Sequence, residues 1–276
     1  MGSDPYGRYL VAAVAAADAA SGVLMSRFNA GVQKLSSWEK SPGALVTEAD
    51  IESDQVIAKA LKASGCGGVI ISEESNVDLG GGGIDPDCKI EWLVDPLCGT
   101  VPFSTGMNHW GINIAMRANG ELTVGALATP TCGIVLTSEV GSGVKLNGER
   151  LGVAESDRNL GEVVVGLEID GQDVWRSLLN SGGLDWLTRV LQANSFASAA
   201  YPLMLVATGR MSAVVFYRID PMHVAAGSLA VTMLGGCATD GNGDVIDWSR
   251  DDELPMVVVG WPKVHDQLIE VIGQSG

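Results

Sequence analysis

Lys89-Ile90-Glu91-Trp92-Leu93-Val94-Asp95-Pro96-Leu97-Cys98-Gly99-Thr100 starts as a run of β-formers and ends in a proline–glycine break. The run to Asp95 reads as a buried strand, with Asp95 at its carboxyl end just before the turn. Upstream, Gly67–Ser72 is another short β-branched run, followed at once by Ser72-Glu73-Glu74-Ser75. Further back, Thr47 reads as an N-cap, with Glu48, Asp50 and Glu52 in the first turn of a helix running to about Ala63. Carboxylates at the carboxyl ends of neighbouring strands converge on one crevice, where hard divalent cations find oxygen ligands. Gly99-Thr100 is expected to open a short helix there, whose free N–H groups suit an anion. A metal cluster beside an anion cradle suits phosphoryl transfer. Taken singly, each piece also has a plain structural reading: Asp50 as a helix-end charge, Glu73 and Glu74 as solvated loop residues, Asp95 as a turn-former before proline.

The rest of the chain constrains the setting. Its 276 residues are 46% hydrophobic and 18% charged, enough for one or two domains with a real core and too apolar for disorder. Seventeen Lys and Arg against 33 Asp and Glu leave a net charge of −16, which repels nucleic acid and anionic membranes. That field also repels a phosphorylated metabolite unless a cation or local donors neutralise the site. Five cysteines without a CxxC pair argue against a disulfide framework and for a reducing, cytoplasmic setting. Tyr9–Asn29 is expected to be one long helix rather than a signal peptide, since Asp18 interrupts the apolar run. No uninterrupted apolar stretch reaches the ~18 residues of a membrane span.

Strands are expected near Trp110–Arg117, Glu121–Ala128 and Ile134–Ser138, with a hairpin turn at Leu146-Asn147-Gly148-Glu149. Beyond residue 158 strands and helices alternate: Glu162–Leu167, Asp173–Ser181, Ala197–Gly209, Ala213–Tyr217, Pro221–Leu234, Pro255–Gly260 and a terminal helix. The pattern is that of an α/β protein, with an α+β half over residues 1–157 and an α/β half over 158–276.

Over nearly its whole length the sequence resembles the inositol monophosphatase family of metal-dependent, lithium-sensitive phosphatases. Leu45-Val46-Thr47-Glu48-Ala49-Asp50 and Ile71-Ser72-Glu73-Glu74-Ser75 resemble its first two acidic motifs, and Trp92–Thr100 its strongest signature. Lys145-Leu146-Asn147-Gly148 is similar to its mid-chain hairpin, and Val224-Ala225-Ala226-Gly227 with Gly235-Gly236 to its C-terminal signature. The resemblance implies a layered α/β/α/β/α sandwich and a homodimer. It also implies a first metal site at Glu73, Asp95 and the Leu97 carbonyl, with Asp50 and Thr100 positioning the attacking water.

Two departures fall on the second metal site. Where the family pattern has aspartates, this chain has Cys98 and His223, which should face each other across the crevice. By gapless counting from His223, the family's acidic, polyol-contacting residue becomes Phe216, so Phe216 and Tyr217 are expected to give the substrate pocket an apolar or aromatic wall. Thiol and imidazole suit magnesium poorly and a softer ion such as zinc better. Three outcomes follow. The favoured one is repurposed acid–base or cysteine-nucleophile chemistry (group transfer, elimination or cyclisation) on a small, partly apolar metabolite, with Cys98, His223, Asp50 and Thr100 catalytic, Gly99 and Thr100 holding substrate, and no cofactor required. Its setting would be bacterial specialised metabolism. The alternative is a phosphomonoesterase with one metal or a soft second metal, Mg or Zn. The third is a non-catalytic binding protein. Asp220, before Pro221, is expected to be an N-cap, His109 a core histidine, His265 a surface one, and Cys66, Cys88, Cys132 and Cys237 small buried residues.

Overall fold

Thr47 caps its helix as expected: its hydroxyl accepts the Ala49 N–H while the Asp50 carboxylate reaches back to the Thr47 N–H, a reciprocal box that fixes both side chains. The computed structural model describes residues 6–31, 36–41, 44–81, 88–152 and 157–274. In chain order these form α1 (Gly7–Asn29), β1 (Ser37–Ser41), β2 (Ala44–Thr47), α2 (Glu48–Ser64), β3 (Val69–Ser72), β4 (Asn76–Asp78), β5 (Ile90–Cys98), α3 (Thr100–Ser104), β6 (Gly111–Ala118), β7 (Glu121–Thr129), β8 (Ile134–Glu139), β9 (Gly143–Leu146) and β10 (Glu149–Arg150). There follow β11 (Val164–Ile169), α4 (Gln172–Ser181), β12 (Gln192–Asn194), α5 (Ala200–Ala207), β13 (Ala213–Ile219), α6 (Pro221–Met233), β14 (Cys237–Asp240), β15 (Leu254–Gly260) and α7 (Pro262–Gly273).

Eight strands form one sheet in the order β10-β9-β8-β7-β6-β5-β3-β4, antiparallel except for the parallel pair β3 and β5. Five form a second, β12-β11-β13-β15-β14, parallel across β12, β11 and β13 and antiparallel beyond. At the β9–β10 hairpin Asn147 and Gly148 both have positive φ, 49° and 84°, as a type I′ turn demands. The nearly all-apolar α5 and α6 lie between the sheets, where one cluster of buried residues joins Leu93 and Leu127 of the first sheet to Leu203, Val224, Val214 and Val259. On the outer face of the first sheet α1 and α2 cover a second core, and α7 covers a third on the outside of the second sheet. The layers are α/β/α/β/α.

The alanines Ala12, Ala13, Ala16, Ala17 and Ala20 give α1 a small-residue face that is wholly buried. α1 is the one described helix long and apolar enough to cross a membrane by length and composition; here that face packs into the core. Arg117 on β6, 1% exposed, bridges the two parts of the chain: it meets Glu91 at 3.0 Å and Asp251 at 2.8 Å, and donates to the carbonyls of Trp248 and Arg250. The expected boundary at 157 lies beside residues 153–156, which are outside the described residues; the sequence also predicts a turn at Ser41-Pro42-Gly43 and a glycine-rich loop around Gly80–Gly83, and parts of both lie outside the described residues.

Several expectations need correction. The helix expected from Ala197 starts only at Ala200, because Ala197 sits at φ 52°, outside the right-handed region. His265 is 4% exposed, with Nε2 2.8 Å from the Thr239 hydroxyl, since α7 turns that side chain onto β14. Cys132 is exposed, on the turn after β7, and Cys88 and Cys237 are half-buried. His109, expected in the core, is half-buried just before β6, with its ring edge-on to Phe196 and tilted against Tyr201.

Candidate active site and metal centre

Pro96 has no N–H to give, and the β5–β6 ladder is irregular between Asp95 and Cys98. The break leaves the Pro96 carbonyl to accept the Ser53 hydroxyl at 2.6 Å and sends the chain into a tight turn. Gly99 makes that turn at φ 103°, where a Cβ would come within 3.0 Å of the His109 carbonyl oxygen and Ser198 Cβ. β3 runs parallel to β5 and ends beside it, so Glu73, whose N–H donates to the Val94 carbonyl, arrives next to Asp95. The turn carrying Glu73 is held by Asp54, whose two carboxylate oxygens each accept a hydroxyl at 2.6 Å, from Ser72 and Ser75.

His223, in the first turn of α6, points across from the other sheet. Glu73, Asp95 and His223 offer ligand atoms all within 4.8 Å of one another. His223 Nδ1 lies 2.6 Å from Asp95 Oδ2, while Asp95 Oδ1 is buried with no hydrogen-bond partner. Burial pushes the imidazole pKa down, but the Asp95 carboxylate overrides this and raises it to about 9. A buried carboxylate with one oxygen left unpartnered, clustered with a second carboxylate and an imidazole, fits a divalent cation. Leu97 lines the same cleft, which measures about 420 Å³.

Beside the cluster, the Thr100 hydroxyl donates to Asp50 Oδ1 at 2.8 Å, and Asp50 Oδ2 accepts the Thr47 N–H and hydroxyl. Burial raises the Asp50 pKa to about 6 against these hydrogen bonds. Asp50 and Thr100 thus form the pair that the resemblance implied. The short helix expected to open at Gly99-Thr100 is α3, only five residues long and with little dipole to sum.

The expected Cys98–His223 pair is not formed. Cys98 Sγ turns towards the start of α5 and accepts the N–H groups of Ala199 and Ala200, each at 3.1 Å. Burial, then the charge of Asp95, pushes the thiol pKa well above its usual value despite the Ala200 N–H. A thiol so held is neither a ready nucleophile nor a ready ligand. Phe216 is likewise corrected: it is fully buried between the sheets, because alternation along β13 turns it into the core. Tyr217 borders the cleft, but its hydroxyl is committed, accepting from Trp186 at 3.0 Å and donating to the Gly183 carbonyl. Asp220 is the N-cap of α6 by position but makes no side-chain cap bond.

Sequence reasoning passed over four groups here. Asp54 sits one helical turn after Asp50 on the same buried face of α2, a spacing visible in the sequence. Glu168 is a lone acid in an otherwise apolar strand. Its carboxylate accepts the Phe196 N–H at 2.7 Å, the Ala197 N–H at 2.9 Å and the Ser195 hydroxyl at 3.3 Å, and burial against those donors lifts its pKa to about 7. Trp175 and Arg218 border the mouth of the cleft, Arg218 at φ 58° and paired with Asp173 at 2.7 Å. No local signal marks either.

The chain is 31% identical over 208 residues, 74% of each protein, to Nus factor SuhB of Pasteurella multocida. It is 27% identical to the fructose-1,6-bisphosphatase/inositol-1-monophosphatase of Thermotoga maritima, covering 87% of this chain and 88% of that one. The crystal structure of extragenic suppressor protein suhB from Bartonella henselae superposes with a TM-score of 0.82 at 26% identity, over 96% of this chain and 98% of that chain. A structure of the same fold at 16% identity and TM-score 0.72, described as an IMPase/NADP phosphatase, is complexed with Mg2+ and phosphate. These findings, with the Glu73–Asp95–His223 cluster, overturn the expectation that no cofactor is required. Family sequence matching extends over residues 7–275, and with the layered fold and the acidic cleft it makes this chain a member of the inositol monophosphatase family.

Proposed function

We propose that the protein is a metal-dependent phosphomonoesterase acting on a small, partly apolar phosphate ester, with a single divalent cation held by Glu73, Asp95, His223 and the Leu97 carbonyl. The observation that carries this reading is the cluster of Glu73, Asp95 and His223, in which Asp95 keeps a buried carboxylate oxygen without a hydrogen-bond partner, beside the Thr100–Asp50 pair. A divalent cation held there would supply Lewis-acid charge for phosphoryl transfer. The chain's own residues do the rest. The Thr100 hydroxyl orients a water and takes its proton while giving its own to Asp50, whose pKa near 6 makes it a competent base at neutral pH, and the leaving alkoxide takes a proton from solvent. Water and ester become alcohol and phosphate. Trp175 and Leu45 at the cleft mouth offer apolar surface to the alcohol, and Arg218 offers a cation.

The donor set argues for the ion's character. Two carboxylates neutralise one dication, and the imidazole nitrogen favours Mn2+ or Zn2+ over Mg2+. Cysteine-nucleophile chemistry has no support in the geometry, because Cys98 is a hydrogen-bond acceptor at α5 with its pKa raised. The homodimer implied by the resemblance belongs to the same proposal, and light scattering on the purified chain tests it. For the activity, protein stripped with a chelator is assayed for phosphate release from p-nitrophenyl phosphate and a panel of sugar and amino-alcohol phosphates, with Mg2+, Mn2+ or Zn2+ restored. Metal-dependent release supports the reading; none with any metal overturns it.

A further inference from the structure

The residues of the metal cluster come from both parts of the chain: Asp95 from the eight-stranded sheet and Glu73 from the turn after its β3, His223 from the helix that follows β13 of the five-stranded one. One short segment, residues 195–200, touches both sides. From the five-stranded sheet, Glu168 holds it by both carboxylate oxygens, taking the Phe196 N–H on one and the Ala197 N–H and Ser195 hydroxyl on the other. On its far side the Ser198 hydroxyl donates to the Cys98 carbonyl at 2.9 Å, and the Ala199 and Ala200 N–H groups close on Cys98 Sγ. Cys98 is the last residue of β5, three after Asp95 and one after Leu97.

Ala197 carries the strain of this arrangement. It has a side chain yet sits at φ 52°, a conformation that persists only where the surroundings over-determine it. What determines it here is the Glu168 carboxylate, whose two oxygens accept from three donors of the segment at once. We propose that Glu168 is a positioning residue: it clamps segment 195–200 against Cys98 and thereby fixes the end of β5 that presents Asp95 and Leu97 to the cation. The clamp rests on the metal reading only for its metal-binding readout; its mechanical part stands alone.

Glu168→Gln keeps the volume but turns an NH2 group towards backbone N–H groups, and Glu168→Ala removes the acceptor altogether. Native protein and both variants are alkylated with iodoacetamide, and each cysteine is followed by peptide mass spectrometry, with buried Cys66 as the control for global opening. Mn2+ binding is titrated on the same samples. The clamp predicts that Cys98 labels about tenfold faster in both variants while Cys66 does not, and that Mn2+ affinity falls about tenfold in both. Unchanged Cys98 labelling, a rise only in Glu168→Ala, or an equal rise at Cys66 overturns the clamp. Faster Cys98 labelling with full Mn2+ affinity overturns the positioning role and leaves the metal reading intact. If the native protein binds no Mn2+, Zn2+ or Mg2+, the metal reading fails, and with it the positioning role, while the labelling still decides the clamp.

Discussion

Replacing His223 by Asn makes a quantitative test of the Asp95–His223 contact. In the metal-free protein the imidazole pKa rises from 6.5 to about 9 because Asp95, 1% exposed, lies 2.6 Å away. At 1.36 kcal/mol per tenfold, that rise corresponds to roughly 3 kcal/mol of stability from the charged pair. The His223 side chain is 19% exposed, so solvent screens only a small part. A raised folded-state pKa gives stability that is complete below 6.5 and disappears as the pH climbs through about 9. Urea denaturation in chelator should therefore find His223→Asn less stable than the native protein by about 3 kcal/mol at pH 6, with the gap closing by pH 9.5. Asp50 and Glu168 titrate in both proteins and cancel in the difference. A gap that stays constant across this range would refute the ion pair and leave only lost packing.

Other outcomes follow from the same geometry. Calorimetric titration should order affinity as Mg2+ below Mn2+ below Zn2+, and His223→Asp should narrow that spread by supplying a third carboxylate. Asp50→Asn should cut phosphate release about 100-fold or more, and in the native enzyme the acid limb of the kcat profile should fall below pH 6, as the base is protonated. Cys98→Ser should keep activity within a few-fold, because the group at that position accepts hydrogen bonds and attacks nothing; loss of turnover with the fold intact would restore the cysteine as a catalytic residue.

Local chemistry made much of the site readable in advance. The Thr47–Asp50 box, the Pro96 break and the Gly99 turn all act within a few residues, so the spacing of residue types carries them. The partners of Cys98 and His223 could not be read that way. Both replace carboxylates in the family pattern, which invited the inference that they meet. Which way each side chain turns is set by groups about a hundred residues off: the α5 amides hold Cys98, and Asp95 holds His223. Phe216 failed for a related reason. Counting residues locates a position on a strand, whereas the pleat and the packing of the second sheet decide which face it shows. Glu168 left one trace, an acid within Val163-Val164-Val165-Gly166-Leu167-Glu168-Ile169. A strand bordered by apolar layers buries such an acid, and a buried acid needs donors.

Arg117 bears on how the chain can be divided. A cut between Arg150 and Val164 would put Arg117 and Glu91 on one fragment and the acceptors Trp248, Arg250 and Asp251 on the other. The guanidinium would keep Glu91 but lose its three other partners, the first fragment would expose the sheet face that α5 and α6 now cover, and the second would expose the helix faces that pack there. The two fragments are therefore complementary halves of a split protein. Expressed together they should find each other and rebuild the cleft; expressed apart, neither should hold metal.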